Sequence, residues 1–507
     1  MKGYRCKGAM TVFFSVLTVL FLSLACALAE KARVQGARTK AAAVMDLGIF
    51  SVFGEFERDL LEEYEVFGVD AAYGGSDFGA ENLRKHLDEY MGYNIEEPEK
   101  YTILTGSSLF PLEIEKSEVT GFLLLTDENG TVFRDQVVQN LKTSLVSQAA
   151  SEFLKAQKQA EEMEKAGETY EKQEEAADQG LAQALEEAKN QEETESKEES
   201  TDVVVVEPEK PENPLDLIKK IKNMGILGLV MENPQEVSSK KVEKASLPSG
   251  RKLEKGTMDW ERPGTGILEE ALFQEYLFTH FSGVLSEKEA EGELSYQLEY
   301  ILAGKNSDEE NLKSVVHRLL FLREGVNFAY VASNAEMRQS ASLLAAAITG
   351  GTPGLTAALL AALLAAWAYG ESLLDVRILL AGGKVPVVKT GESFRLTLEN
   401  LGRLLEVLKE CSSVQGEGLD YEGYLKMLFL TGKRGSYAMR ALDLMETTLK
   451  GRTGMGNFRI DHCVAGMEVN TQWKIPLVFS KVPEAFLKEG AGEAGYRTNG
   501  KFIYCCQ

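Results

Sequence analysis

The residue types that most often carry catalysis are few and scattered in this chain. Its four histidines, His86, His280, His317 and His462, lie in unrelated contexts. The segment Gly432–Ser436 has the letters of a phosphate-binding loop in the wrong order and spacing. No Gly-x-Ser-x-Gly elbow and no His-Glu-x-x-His helix is present. The sequence therefore predicts no catalytic, cofactor-binding or metal-binding residue, and we do not expect an enzyme.

Cysteines form the one ambiguous group. Cys411, Cys463, Cys505 and Cys506 all lie towards the C-terminus. If this region is outside the cytoplasm, a disulfide from Cys463 to Cys505 or Cys506 would fasten the last strands together. Free thiols are the alternative, because pairing cannot be read from sequence. Adjacent cysteines lack the two-residue gap of the usual zinc ligands, so a metal site is not favoured.

Composition limits the class of protein further. The chain has 507 residues, which allows roughly two to four domains. Acidic residues exceed basic ones by 78 − 55 = 23. Binding of nucleic acid depends on a basic surface that releases counterions, so nucleic acid is excluded as an expected partner.

The N-terminal segment of the sequence indicates that the protein is located at a membrane. No charged residue occurs from Ala9 to Ala29, and these 21 residues form about 31 Å of helix, enough to span a bilayer. The large apolar residues of this membrane helix are Phe13, Phe14, Leu17, Leu20, Phe21 and Leu24, with Glu30 as an acid at its far interface. A cleaved signal sequence is the alternative, because Ala27-Leu28-Ala29 precedes Glu30 as a small-x-small site.

A second helical pattern continues from this anchor. Apolar residues recur at spacings of three and four through residues 30–66: Ala37, Ala41, Met45, Ile49, Val52, Phe53, Phe56 and Leu60. This predicts an amphipathic stalk whose stripe supplies a seam for lateral packing. Basic residues are nearly balanced on the two sides of the membrane helix, so charge does not fix its orientation. The short N-terminal tail and large following domain favour an extracytoplasmic body.

The remaining chain predicts an α+β protein that is predominantly helical. Its expected parts are a tail (1–8), a transmembrane anchor (9–29), the stalk (30–66), a small α/β segment (67–131) with a turn at Asp127–Gly130, a long coiled-coil-like acidic helix (132–190), an acidic and Pro-rich linker (191–264), a helical domain (265–455) whose helices include 286–303 and 308–333, and C-terminal antiparallel strands (456–507). Within 159–200 there are 15 acidic and 4 basic residues, which indicates a solvated helix that fades into disorder. In the linker, the pattern of Leu215–Val230 predicts a short helix that docks on a neighbouring domain. Trp260 is predicted to bury its ring in the same way.

Two patterns in the C-terminal half are specific enough to test. Residues 342–369 are Ala-rich and apolar, and each arm around Gly351-Thr352-Pro353-Gly354 is too short to span a membrane. They predict a buried αα-hairpin, with Glu371, Asp375 and Arg377 marking where its second helix reaches the surface. The run 497–504 predicts a β-hairpin with a type I′ turn at Asn499-Gly500.

Several separated segments resemble one family. Residues 7–14, the charge-free helix and residues 30–38 resemble pseudopilin-like TadE/TadG proteins, in particular a Gram-positive branch with a large C-terminal domain of unknown function. The stretches 62–67, 296–305, 371–377, 383–386 and 458–463 resemble the same branch. A departure is Phe13, which stands where type IV pilins carry a glutamate near the start of the mature helix.

This resemblance implies a single-pass, surface-exposed protein of a Tad/Flp-type pilus system, without enzymatic activity or cofactor. Its expected partners are the lipid bilayer and, through the N-terminal helix, pilus-assembly or other membrane proteins. The alternative hypothesis is a secreted or anchored cell-envelope protein that binds a ligand or acts as a sensor. A deep apolar pocket in the helical domain would favour that alternative.

Overall fold

A computed structural model of the protein describes residues 7–95, 109–142, 149–195, 213–260, 266–288, 290–411, 417–432, 434–477 and 493–504. Predictions about residues 1–6, residues 96–108 within the small α/β segment, the linker core (196–212) and Cys505 and Cys506 lie outside these residues. The fold is α+β and predominantly helical, which confirms the predicted class. The chain forms two compact units. Unit 1 comprises Met1–Gln139, Arg251–Gly264 and Met445–Gln507, and unit 2 comprises Asn140–Gly250 and Thr265–Leu444.

Unit 1 combines the N-terminal helix with an antiparallel sheet. Its helical segments are α1 (Lys7–Phe53), α2 (Arg58–Tyr64), α3 (Ala80–Ile95) and most of α4 (Asp127–Lys142). Its strands are β1 (Val69–Asp70), β2 (Glu113–Leu124), β3 (Cys463–Pro476) and β4 (Glu493–Ile503). Strand β3 pairs antiparallel with each of the other three.

Unit 2 is helical. In chain order its helices are α5 (Ala149–Glu195), α6 (Pro214–Lys222), α7 (Ile226–Val230), α8 (Ile267–His280), α9 (Gln297–Ala303), α10 (Asp308–Ser333), α11 (Ala335–Thr349), α12 (Pro353–Leu380), α13 (Leu398–Leu401), α14 (Leu404–Glu410), α15 (Tyr421–Thr431) and most of α16 (Tyr437–Lys450). The long helices α5, α10 and α12 pack on one another and form its centre.

The stripe predicted along the stalk is buried within unit 1 itself. Ala37, Ala41, Met45, Ile49 and Val52 join the core formed with α3 and the sheet. The stripe is therefore not available as a seam for lateral packing, which corrects that expectation.

The helix also ends at Phe53 rather than at residue 66. Glu55 follows, and its carboxylate accepts hydrogen bonds from Tyr73 (2.9 Å) and Tyr90 (2.7 Å), which draws the chain towards α3. Glu57 then caps the separate helix α2 by accepting from the backbone of Asp59.

The described parts of the long helix predicted for 132–190 are α4 and α5, and residues 143–148 between them lie outside the described residues. Within α4, Glu128, Asn129 and Gly130 have positive φ, which forms the turn predicted at Asp127–Gly130. Helix α5 is not solvated on all of its faces, in contrast to the prediction for the acidic tract. One face is buried in unit 2 through Ala160, Met163, Tyr170, Ala177 and Leu181, while its acidic residues occupy the other faces.

The docking helix predicted inside the linker is present as two short helices. Ile218 and Ile221 of α6 and Leu227 of α7 are buried. The guanidinium of Arg377 on α12 donates to the backbone oxygens of Leu229 (3.1 Å) and Met231 (3.0 Å). This part of the predicted linker therefore belongs to the core of unit 2.

Helix α12 is the buried element that the hairpin pattern predicts. Every residue from Ala362 to Leu380 is buried. The expectation that Glu371, Asp375 and Arg377 mark its emergence at the surface is wrong, since they are 0%, 1% and 8% exposed. Helix α11 is less buried, and Leu343 is 66% exposed.

Two local predictions near loops fail for identifiable reasons. Asn499 and Gly500 are not a turn but the middle of β4, paired with Asn470 and Val469 of β3. A Cβ at Gly500 would lie 2.6 Å from Ile49 Cδ1 and 2.9 Å from Met45 Cε, so a side chain there would have to displace the ends of these two side chains of α1. The helix predicted for 286–303 is limited to α9, because the preceding loop includes Gly292 with φ of 102°.

Candidate functional sites

The first part of α1 is an exposed apolar helix. The six predicted membrane residues are each 37–64% exposed: Phe13, Phe14, Leu17, Leu20, Phe21 and Leu24. Residues 10–29 are exposed except for half-buried Cys26. At 1.5 Å per residue this segment is about 30 Å long, close to the thickness of a hydrocarbon core. An apolar surface of this size is typical of a membrane or protein contact.

Polar side chains in this segment are satisfied by the helix itself. The hydroxyls of Ser15, Thr18 and Ser23 donate to the backbone oxygens of Val12, Phe14 and Leu20, each at 2.8 Å. A hydroxyl bonded to its own helix does not require water. The segment is therefore compatible with lipid along its length and is a candidate membrane anchor.

Glu30 lies where the exposed helix enters unit 1. It is 9% exposed and forms an ion pair of 2.6 Å with Arg33. Arg33 also donates to the backbone oxygen of Pro476 at the end of β3. One helical turn further, Arg38 lies 5.3 Å from the ring centroid of Tyr496, and Lys40 donates to the Ile95 oxygen at 3.1 Å. These contacts fix the end of the apolar segment to the folded unit.

A second helix has the length and composition of a membrane span, but it is a core element. In α12, 78% of the most apolar window is buried within the structure. The same helix includes the ionisable side chains of Glu371, Asp375 and Arg377. The first part of α1 is therefore the better candidate for an anchor.

A cluster of buried charged side chains lies between α10 and α12 of unit 2. Arg323 is fully buried and its Nε donates to Asp375 at 3.0 Å. Lys389, from the loop after α12, donates to Asp375 at 2.8 Å and also to Glu371. Asn327 adds a bond of 3.0 Å to Asp375. We call Arg323, Asp375, Lys389 and Glu371 the buried charge cluster.

Two positive and two negative groups balance in this cluster. Burial by itself raises the pKa of Asp375, but Arg323 and Lys389 hold that pKa below its usual value. Burial and the nearby Asp375 raise the pKa of Glu371. The Glu371 carboxylate also accepts from the backbone of Arg395 and Leu396. Because these groups are occupied by one another and by backbone, the cluster is suited to fixing a loop and not to proton transfer.

Glu324, the next residue on α10, is in a different setting. Burial and then the charge of Glu174 on α5 raise the pKa of Glu324 to about 7, with Lys222 of α6 opposing and Glu171 adding to the rise. Lys222 pairs with Glu174 and lies 5.1 Å from the ring centroid of Tyr369 on α12. Glu324 is thus a half-buried acid whose pKa is raised towards neutral pH.

Of the three cysteines in the predicted disulfide, Cys463 lies within the described residues. Cys463 is buried at the start of β3. On the neighbouring strand Ile503 pairs with Gly466, and the backbone of Tyr504 donates to Ala465 at 3.0 Å. A bond from Cys463 to Cys505 or Cys506 remains a prediction. Across the described ranges, no group of three or more His, Cys, Asp and Glu is arranged to hold a metal ion.

Sequence reasoning missed the buried charge cluster. The one available signal was the presence of Glu371, Asp375 and Arg377 within the most apolar helix of the body. A charged residue in an apolar helix indicates either that the helix reaches the surface there or that the charge has a buried partner. The sequence does not decide between the two, because the partners Arg323 and Lys389 lie outside the helix.

Fold and sites together define an α+β protein with a candidate membrane anchor at its N-terminus and a helical unit that contains a buried charge cluster. The chain belongs to a family of unknown function, DUF5702, whose model matches residues 205–475, more than half of its length. Helix α1 lies outside the matched residues. No curated protein and no solved structure matches the chain.

Proposed function

We propose that this protein is a membrane-anchored, non-catalytic structural or assembly protein of a Tad/Flp-type pilus system, with its body outside the cytoplasm. The observation that carries the proposal is the division of α1. Its first part is exposed and apolar, whereas its second part is built into the core of unit 1. A rigid helix of 47 residues would hold unit 1 at a fixed height above the bilayer.

The assignment to a pilus system depends on the resemblance of the N-terminal and scattered internal segments to TadE/TadG-like proteins. The burial of the stalk stripe changes how such a subunit would bind its partners. The continuous exposed apolar surface of α1 is its first part, residues 10–29, whereas Leu47 and Phe50 are single exposed residues further on. We therefore expect contacts with other membrane proteins to form within the bilayer. The bilayer and helices inside it are therefore the proposed partners.

The anchor is tested by substitution and fractionation. Leu20→Arg places a charge near the centre of the apolar segment, which costs about 2.5–3.5 kcal/mol on insertion scales. We expect most of the variant to be lost from the membrane fraction. Leu343→Arg, at a leucine of similar exposure on α11, is the matched control and should fractionate as the native chain. Equal membrane association of both variants would contradict the proposal.

Processing and topology are measured on the native protein. Intact-mass and N-terminal analysis of membrane and medium fractions should find a membrane-bound chain that starts at Met1 or Ala9. A soluble chain that starts at Glu30 would overturn the anchor. In intact cells, a membrane-impermeant amine reagent should label Lys116, whose side chain is 60% exposed. Labelling only after lysis would refute the extracytoplasmic location.

The link to a pilus is tested with a photo-crosslinking residue at Phe21 and, as control, at Leu343. We expect the Phe21 position alone to crosslink to a pilus-assembly membrane protein, identified by mass spectrometry. Crosslinks to lipid only, or to the same proteins from both positions, would remove the support for a pilus partner while leaving the anchor intact.

A ligand-binding or sensor protein of the cell envelope is the second candidate, and a groove in unit 2 favours it. This groove has a volume of about 410 Å³ and lies between α5, α10 and the loop at 387–389. Apolar side chains line much of it, including Met163, Val326 and Val388, and Val388 is 71% exposed. Saturable binding of an apolar fluorescent probe that Met163→Glu abolishes would support this function. Probe binding unchanged by that substitution would argue against it.

A further inference from the structure

Unit 1 contains a cavity that the proposed function does not use. It has a volume of about 550 Å³ and lies where the end of β2 and the turn after it meet the segment 253–260. This volume is within the range of about 300–1,000 Å³ that is usual for small-molecule sites.

Asp127 builds the wall of the cavity. One carboxylate oxygen accepts from the backbone of Leu124 at 2.7 Å, and the other accepts from the backbone of Gly256 at 2.9 Å. The backbone of Met258 donates to the Phe122 oxygen at 3.1 Å, which holds the segment against β2. The walls are thus fixed by hydrogen bonds that do not depend on a ligand.

Two polar side chains that line the cavity have buried atoms without a hydrogen-bond partner. Thr126 is 3% exposed, and its Oγ1 has no partner. The indole Nε1 of Trp260 is also buried and unpartnered. Leaving such a group unpaired costs about 1–3 kcal/mol. An indole N–H can only donate, so its missing partner is an acceptor.

The rim of the cavity is acidic. Glu128, Glu254 and Asp259 lie in exposed positions around it, and among the described residues that line it Lys255 is the one basic residue. The two carboxylate oxygens of Asp127 are occupied by backbone, so the rim carboxylates are those left to bind a ligand. Carboxylates beside an indole ring are the groups that recognise an ammonium or guanidinium ion.

We infer that this cavity binds a cationic peptide segment, with the rim carboxylates of Glu128, Glu254 and Asp259 on a lysine or arginine head group and the Trp260 N–H and Thr126 hydroxyl on the peptide backbone. A lysine residue provides both the cation and a carbonyl acceptor a few ångströms away. A simple metal ion would leave the indole N–H unpaired, and an anion would be repelled by the rim.

Calorimetry with tri-lysine and the full chain in detergent micelles tests the inference. We expect saturable binding at low salt. Trp260→Phe keeps an aromatic ring but removes the N–H, and should weaken binding about tenfold, the equivalent of one hydrogen bond. Glu254→Gln combined with Asp259→Asn should weaken it by at least as much. Binding should also change tryptophan emission in the native chain and not in Trp260→Phe.

The matched control is Glu89→Gln combined with Glu113→Gln. It also removes two negative charges from unit 1, but at exposed positions that do not line the cavity. It should bind tri-lysine as the native chain does, and tri-glutamate should not bind. Equal weakening by both pairs would show attraction to the overall negative charge and overturn the inference. Absence of tri-lysine binding, or equal binding of tri-glutamate, would also overturn it.

Discussion

Replacing Gly325 by alanine is expected to destabilise unit 2 by about 2 kcal/mol, because α5 and α10 cross there backbone to backbone. A Cβ at Gly325 would lie 2.2 Å from the nitrogen of Gly167 and 2.3 Å from the carbonyl carbon of Ala166. Non-bonded carbon atoms pack at about 3.5–4.0 Å, so the two helices would have to separate by roughly 1 Å or more.

The magnitude follows from two opposing effects. Overpacking of this kind costs about 1–3 kcal/mol, occasionally more when backbone must move. Alanine recovers at most about 1 kcal/mol through its better helix propensity. Because the obstructing atoms belong to the backbone of α5 and not to a flexible side chain, we expect the cost to lie at or above the upper end of the range.

Hydrogen exchange of the full chain in detergent, followed by mass spectrometry, measures the effect on α5 and α10 directly. A loss of about 2 kcal/mol corresponds to roughly 30-fold faster exchange through opening of unit 2. Gly180→Ala is the matched control, since it changes the same residue type on α5 and its new Cβ would meet no atom within 4 Å. It should slow exchange slightly. If Gly325→Ala behaves like Gly180→Ala, the proposed crossing of the helices is refuted.

Three further predictions concern buried groups. Arg323→Met removes one partner of the buried charge cluster and should destabilise unit 2 by about 3–5 kcal/mol in urea unfolding. Glu324 has its pKa raised from 4.5 to about 7 in the folded protein, so the folded state binds this proton more tightly than the unfolded chain. Stability should therefore fall by about 3 kcal/mol as pH rises from 4.5 to 8, and Glu324→Gln should remove this fall. Non-reducing peptide mapping should find Cys463 joined to Cys505 or Cys506, with a mass 2 Da below that of the two thiols.

Each of these has an outcome that would contradict it. Arg403→Met is the control for Arg323→Met, since Arg403 belongs to an exposed ion pair and should contribute less than about 1 kcal/mol. Equal effects of the two would show that the cluster does not stabilise unit 2. An unchanged pH profile in Glu324→Gln would assign the titration to another group. Alkylation of Cys463 under denaturing, non-reducing conditions would exclude its disulfide.

The parts that the sequence predicted well are those that depend on local pattern. The charge-free run before Glu30 and the stripe from Ala37 to Val52 follow from the spacing of apolar residues along one helix. The same holds for the Ala-rich helix that became α12. Helix α10 begins at Asp308 as predicted, because Ser307 caps it by accepting from the backbone of Glu310.

The parts that it missed depend on residues far apart in the chain. Asn499-Gly500 has the composition of a tight turn, but both residues pair with β3 and so belong to an extended strand. The apolar stripe did not reveal that its partner is the protein's own sheet. Asp375 meets Arg323 across 52 positions of sequence, and no local pattern reports such a pair.

The packing of β4 against α1 affects how the chain folds while it is being synthesised. Met45 and Ile49 emerge from the ribosome early, yet the strand that covers them carries Gly500, about 450 residues later. At 5–20 residues per second, roughly 25–90 s pass before that strand has been made. Throughout this interval the part of the apolar helix face that β4 covers stays exposed. For the proposed extracytoplasmic body we therefore expect folding to depend on a holding chaperone, and shortening of β4 to leave an aggregation-prone product.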